Sequence, residues 1–250
     1  MTARIAALYR HPIKGFTPEQ VACAALEPGQ AFPGDRLWAL EDGPSGFDPA
    51  HPGFIPKQRF AVLAKIAEVA KAKTRLDDAT GLMHACAEGM ADFAGDLSDP
   101  AGRAAFEAWT SALLGEVATG PLRLIDAPGH RFLDHPLGHV SIVNLASVRD
   151  FAARLGRPLD PLRFRANVYV EGWSAWAENG WEGRRLALGE AQVEVFKSIV
   201  RCAAPGVDPD TAVRDLDPPA ELFRLYGHML CGIYAHVKSG GTVREGDGVN

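Results

Sequence analysis

Turn-forming residues interrupt this chain at short intervals. The 250 residues include 26 glycines and 18 prolines spread along the whole length, which leaves space for many short strands and few long helices. Stretches 3–9, 20–27 and 35–41 read as strands, separated by Pro12, Gly15, Pro18, Pro28-Gly29 and Pro33-Gly34. The 43–56 stretch is too broken for an element and reads as a long loop. Residues 60–70, 73–78 and 82–87 are further candidate strands, with 60–72 ambiguous between strand and helix because of its alanines. Asp99 and Pro100 supply a cap and a first helical residue, and Gly115 a stop. Phe106, Trp109 and Leu113 give that helix one apolar face. We place a boundary near residue 120, between units 1–120 and 121–250.

The second unit reads the same way. Strands are expected at 121–126, 139–144 and 166–170, and as a hairpin of 185–188 with 192–196. Asn144 caps a helix running to Leu155, with Val148, Phe151, Ala152 and Leu155 as its apolar stripe. Asp217-Pro218 opens a third helix that stops at Gly227. A final strand pair is expected from 231–237 and 242–249. There is no repeated βαβ unit, so short strands at this spacing predict barrels or curled mixed sheets. The fold class expected is mixed, mainly β (α+β).

Charge and cysteine usage narrow the chemistry. With 26 Lys+Arg against 31 Asp+Glu the net charge is −5, which disfavours nucleic acid as a bulk ligand. Cys23, Cys86, Cys202 and Cys231 are scattered without a C-x-x-C pair, so a zinc ribbon, a thioredoxin-type motif and a ferredoxin-type cluster are not expected. Phosphate-loop, dinucleotide-loop, H-E-x-x-H and nucleophile-elbow patterns are absent. No apolar run is long enough for a membrane span. No secretory signal is recognisable, so a cytoplasmic protein with reduced thiols is expected. His130 and His135 lie in a polar loop and read as solvated side chains, not metal ligands.

Three groups of residues carry chemistry. Arg201-Cys202 follows a predicted strand and enters a loop with Pro205-Gly206 and Asp208. Beside an arginine such a cysteine suits a nucleophile or a soft-metal ligand, and it equally suits a buried packing residue. Arg163-Phe-Arg165-Ala-Asn167 sets two guanidinium forks and an amide at the mouth of an apolar strand, either a binding rim or solvated charge. Lys14, in the turn His11-Pro12-Ile13-Lys14-Gly15, and Lys57 add cationic density at strand ends. Together they hint at one anionic ligand inside an acidic protein. Cys23, Cys86 and Cys231 read as packing residues.

In this order the pieces resemble the MOSC family (molybdenum-cofactor sulfurase C-terminal domain) with its N-terminal β-barrel domain. Tyr9-Arg-His-Pro-Ile-Lys14-Gly15 is similar to a Y-P-V-K-S turn, and Gly34-Asp35-Arg36-Leu37-Trp38-Ala39-Leu40 to a G-D-R-x-W-x-L strand. Lys57-Gln58 stands at an R-Q segment, and Arg163–Asn167 resembles R-F-R-P-N. Trp176–Trp181 resembles F-A-E-D-x-W. Arg201-Cys202 with Val207-Asp208-Pro209 resembles R-C-x(4)-V-D-P, and 240–247 the closing G-D segment. The resemblance implies a β-barrel-like first unit, a β-rich barrel second unit, and the pyranopterin molybdenum cofactor between them, without pyridoxal phosphate. It implies Cys202 as metal ligand and catalytic centre, and Lys14, Lys57, Arg165, Asn167 and Arg201 as holders of the pterin and its phosphate. Reduction of small N-hydroxylated compounds is the activity implied, with electrons from an external flavin or iron–sulfur reductase. A cofactor carrier, or sulfur transfer through a persulfide on Cys202, fits the same motif. Departures from the family pattern are Val200, Gly15, Lys57 for Arg, Ala166 for Pro and Asn179 for Asp.

Overall fold

A computed structural model of the chain describes residues 2–135, 137 and 140–250. Its first half contributes β1 (Arg4–Arg10), β2 (Glu19–Val21), β3 (Cys23–Leu26), β4 (Ala39–Asp42), β5 (Lys73–Leu76), β6 (Met83–Cys86), β7 (Phe93–Gly95) and α1 (Pro100–Leu114). Then follow β8 (Leu122–Ile125), β9 (Val140–Asn144), α2 (Leu145–Leu155), β10 (Val168–Glu171), β11 (Arg185–Leu188), β12 (Ala191–Val200), α3 (Pro218–Tyr226), β13 (Leu230–Ser239) and β14 (Gly241–Arg244). Among the described residues the fold is mainly β with three α-helices, in keeping with the density of turn residues.

One seven-stranded sheet, in the order β11-β12-β13-β9-β10-β1-β2, spans both halves of the sequence. β10 runs parallel to β9, while β1 lies antiparallel to β10 with Leu8 opposite Val168. Side chains alternate across this sheet. Val168 and Val170 enter one apolar cluster with Ile5, Leu8, Ile142 and Ile233, while Tyr169 points to the opposite cluster under α2 with Phe151 and Leu222. Sheets β14-β3 and β4-β8 also pair strands from the two halves, and β5-β6-β7 packs against α1 through Phe93 and Phe106.

Several local expectations need correction. The 35–41 stretch becomes strand only from Ala39, because Arg36 takes a left-handed backbone (φ 50°). Residues 60–70 are no strand. The Val62 carbonyl accepts from Lys65 and Ile66 in a tight turn, and a 3-10 helix follows at Ala67–Lys71. β7 was not anticipated. Strand β12 runs on to Val200, four residues past the expected end. The closing strand β14 pairs with β3, not with β13, and 245–249 is not continuous strand. Asp99 stands at the start of α1 without a side-chain capping bond, whereas Asn144 Oδ1 accepts from Ala146 and Asp217 Oδ1 from Ala220. Of the expected 139–144 strand, residue 139 lies outside the described residues.

Candidate functional site

The long strand β12 delivers Arg201 and Cys202 to the edge of a cavity of about 180 Å3. The 3-10 turn Pro161–Phe164 brings Arg163 and Arg165 to the same cavity, and the short 3-10 helix Lys57–Arg59 brings Lys57. Arg36 and Lys197 complete the cationic lining, against which Asp134 is the carboxylate among the described residues. Lys14 lies in an adjoining recess that shares Arg36, Lys57, Asp134, Arg165 and Cys202 with the cavity. Four of the five predicted cofactor holders therefore converge around Cys202.

Each arginine is fixed differently. Arg201 donates from Nε to the Cys231 carbonyl (2.7 Å) and from Nη1 to the Phe164 carbonyl (2.8 Å), with its guanidinium over the Phe164 ring. Its buried Nη2 has no hydrogen-bond partner among the described residues. Gly232 creates the space for it, since a Cβ there would lie 2.6 Å from the Ile142 carbonyl oxygen and 3.1 Å from Arg201 Nη2. Arg165 donates from Nη1 to the Phe16 carbonyl (2.6 Å), and its buried Nη2 likewise lacks a partner among the described residues. Burial, and then the Arg36 charge, lowers the Arg165 pKa to about 10. Arg163 instead is clamped by Asp208 (2.6 Å) and Asp215 (2.8 Å), which ties the Arg163–Asn167 segment to the Val207-Asp208 segment.

The lysines and acids form a linked set. Lys14 Nζ donates to the carbonyls of Phe132 (2.9 Å) and Leu133 (3.3 Å) and to Asp134 (2.6 Å), so its donors are spent within the protein. Burial is the main reason its pKa is lowered, although Asp134 opposes the shift. Burial pushes the Asp134 carboxyl up, but Lys14, Arg36 and Lys57 outweigh it and hold Asp134 well below the carboxylate range. At Lys57 burial lowers the pKa, while Asp134 and then Cys202 favour the ammonium and prevail. Lys57 thus sits beside the partly exposed Cys202 thiol.

Asn167 is placed differently from the other predicted holders. Its Oδ1 accepts from Ser141 N (3.1 Å) and Ser141 Oγ (2.7 Å), and its Nδ2 donates to the Tyr9 carbonyl (3.2 Å). It braces β1, β9 and β10 below the cavity and does not line it. Gly15 has a local cause: φ is +88°, and a Cβ would lie 2.8 Å from Val62 Cα, so a serine has no space there. His130 and His135 are each partly exposed and also carry aromatic contacts. His130 stands edge-on to Phe132 and His135 packs on Phe196. Cys231 is fully buried, with its thiol pushed up to about 12 by burial.

Sequence reasoning missed Arg36, Asp134 and Lys197 as site residues. Arg36 had a signal, since Gly34-Asp35-Arg36 sets a turn residue before a buried Asp35–Arg36 ion pair. Lys197 and Asp134 had none, because their roles depend on which strands and loops meet.

Comparison with known proteins fits this architecture. A family model described as "MOSC domain" matches residues 130–250, and one described as "MOSC N-terminal beta barrel domain" matches 2–119. The chain belongs to the MOSC family. Among curated MOSC relatives, mitochondrial amidoxime-reducing component 1 of Mus musculus is 29% identical over 120 residues, covering 43% of this chain and 35% of that protein. Mitochondrial amidoxime reducing component 2 of Bos taurus is 31% identical over 122 residues, covering 44% and 36%. The match thus spans about a third of these relatives' length. A molybdenum cofactor sulfurase of Danio rerio is 34% identical over 73 residues, 29% of this chain and 8% of that protein. The crystal structure of the YUAD protein from Bacillus subtilis aligns over 100% of this chain and 94% of its own, with 17% identity and a TM-score of 0.49. Among the described residues of this MOSC protein, no helix is long and apolar enough to cross a membrane.

Proposed function

We propose that this MOSC protein binds the molybdenum cofactor, with Cys202 as the protein's ligand to the metal, and reduces N-hydroxylated compounds by two electrons. One juxtaposition supports this reading above the others. The Cys202 thiol opens onto a cavity where buried N–H groups of Arg165 and Arg201 lack partners among the described residues. A buried donor left unpaired costs about 1–3 kcal/mol. An anionic ligand with phosphate-like oxygens relieves that cost through charge-assisted hydrogen bonds. A soft sulfur ligand beside guanidinium donors is the donor set a metal–pterin phosphate requires.

When bound, the cofactor supplies the two-electron couple. The protein's residues do the rest. Arg165, Arg201 and Lys57 face the anion. Arg36 adds charge, and Lys14 holds Asp134 and the 132–134 backbone in place. Asn167 keeps the sheet beneath them in register. Tyr234, its phenol pushed up to about 12 by burial and then by Asp134, stays protonated in the cavity wall. In this reading a flavin or iron–sulfur reductase supplies the electrons; the four cysteines of this sequence are dispersed and form no cluster motif.

The test is the metal and pterin content of protein purified from molybdate-fed cells. A stoichiometric molybdenum content that is lost in Cys202→Ala, with benzamidoxime turnover driven by an artificial reductant, is the expected result. Loaded protein that turns over no N-hydroxylated compound would leave only a cofactor carrier. Molybdenum-free protein carrying a cyanolysable sulfur on Cys202 would overturn the reading in favour of sulfur transfer.

A further inference from the structure

The 43–56 loop folds back on the molecule. Its Pro52–Ile55 stretch makes one wall of a second cavity, of about 240 Å3, and the 130–133 segment makes the other. Phe132 anchors that wall. Its ring stands edge-on to Phe60 (5.9 Å) and to His130 (4.8 Å) and lies 5.0 Å from Phe47. Burial, and then the Arg131 and Lys14 charges, lower the His130 pKa, which favours the neutral ring as an aromatic surface. Phe60 and Phe132 are buried, but Phe54 in the facing wall is 48% exposed. The exposed face of Phe54 is free to stack on a planar occupant of the cavity.

This second cavity adjoins the first. His135 lines both, and Lys14 lines the second cavity and the recess that holds Cys202. At about 240 Å3 the cavity exceeds the roughly 150 Å3 that holds a benzene ring, and its lining mixes Phe54, Ile55 and Phe132 with the polar Lys14, His130, Arg131 and His135. The cations Lys14 and Arg131 in its lining disfavour a positively charged occupant.

We propose that this cavity receives the planar aromatic body of an uncharged N-hydroxylated substrate, its N-hydroxyl end directed past His135 and Lys14 toward Cys202, and that Phe54 determines this specificity. The proposal rests on the reductase reading above.

Binding is measured by ligand-observed NMR with benzamidoxime and with acetamidoxime, which carries methyl in place of phenyl. Phe54→Ser and Ile55→Ser are compared with Phe223→Ser, an exposed phenylalanine on α3. Benzamidoxime should bind about fivefold more weakly to Phe54→Ser, and unchanged to Phe223→Ser. Acetamidoxime should bind weakly and be indifferent to Phe54→Ser. Unfolding midpoints equal to the parent's confirm that the variants fold. Benzamidoxime affinity unaltered in both Phe54→Ser and Ile55→Ser, or equal affinity for the two amidoximes, would overturn the proposal. The readout needs no metal. Phe54-dependent binding to protein that never acquires molybdenum would keep the cavity and remove the reductase reading. Loaded protein that reduces both amidoximes equally would keep the reductase and remove the aromatic cavity.

Discussion

Arg36 and Arg165 come from opposite halves of the sequence and enter one cavity from the same unusual backbone conformation, with φ of 50° and 53°. Left-handed backbone costs a non-glycine residue roughly 1–2 kcal/mol. The two guanidinium groups also repel each other in a site that removes them from water. Strain and like charge concentrated at a cavity are what a protein tolerates where a ligand repays them.

That arrangement sets stability against binding at Arg165. Replacing a desolvated, incompletely bonded charge by an apolar side chain of similar length is often neutral or stabilising. Arg165→Met should therefore raise the unfolding temperature of cofactor-free protein by about 2–4 °C per kcal/mol gained, while cutting the molybdenum and pterin retained through purification. Differential scanning calorimetry and metal analysis on one preparation check both. A fall in both quantities would show that Arg165 is structural.

His11 gives the fold a pH dependence with a definite sign. Its ring is fully buried against Asp35, with Nδ1 3.3 Å from Oδ1, and burial, followed by the Arg165 charge, lowers its pKa to about 3. The unfolded chain binds a proton there near pH 6.5. Below 6.5 the unfolded state holds more protons than the folded one, so stability present above that pH is lost as pH falls toward 3. The slope is at most about 1.4 kcal/mol per pH unit. Urea titrations between pH 7 and 4 should show this slope in the parent, and a shallower one in His11→Gln.

The cationic lining should be readable in the chemistry of Cys202. Iodoacetate is an anion and iodoacetamide is neutral, so their rate ratio at each cysteine reports local potential. The ratio should be higher at Cys202 than at the exposed Cys23 and Cys86. It should drop toward theirs near 1 M salt, where the Debye length is about 3 Å. Lys197→Gln should lower it further. Peptide mapping by mass spectrometry gives all the rates at once, and equal ratios at the three sites would contradict a cationic cavity.

Asn167 should behave as a brace. Asn167→Ala leaves Ser141 and the Tyr9 carbonyl without their partners in a buried part of the sheet. It should cost about 2–4 kcal/mol of unfolding free energy, seen as a lower urea midpoint. Any loss of cofactor should then track the unfolded fraction and not exceed it.

Much of the site was legible because its chemistry sits in short runs. Arg201-Cys202 and Arg163–Asn167 announce charge and sulfur at strand ends, and both runs meet at the cavity. What each member does was not legible, because the deciding partner lies far along the chain. Arg163 is consumed by Asp208 and Asp215, Asn167 by Ser141 and Tyr9, and Lys14 by the 132–134 segment. The first two helices were legible through their apolar stripes, and all three through their opening residues and closing glycines. The pairing of β1 with β10 was not, since nothing local distinguishes a strand that joins its own half from one that crosses to the other.

That crossing has a biosynthetic consequence. β1 is synthesised before its neighbour β10, with β2 to β9 and two helices made in between. Pairings between such distant segments form late and slowly. In the interval β1 offers an unpaired apolar edge of the kind that holdase chaperones shield. The cavity walls drawn from β12 and from the Arg36 turn therefore come together only after β12, the last of these segments, has been made. A nascent chain stalled before β12 would lack Lys197, Arg201 and Cys202 from that cavity.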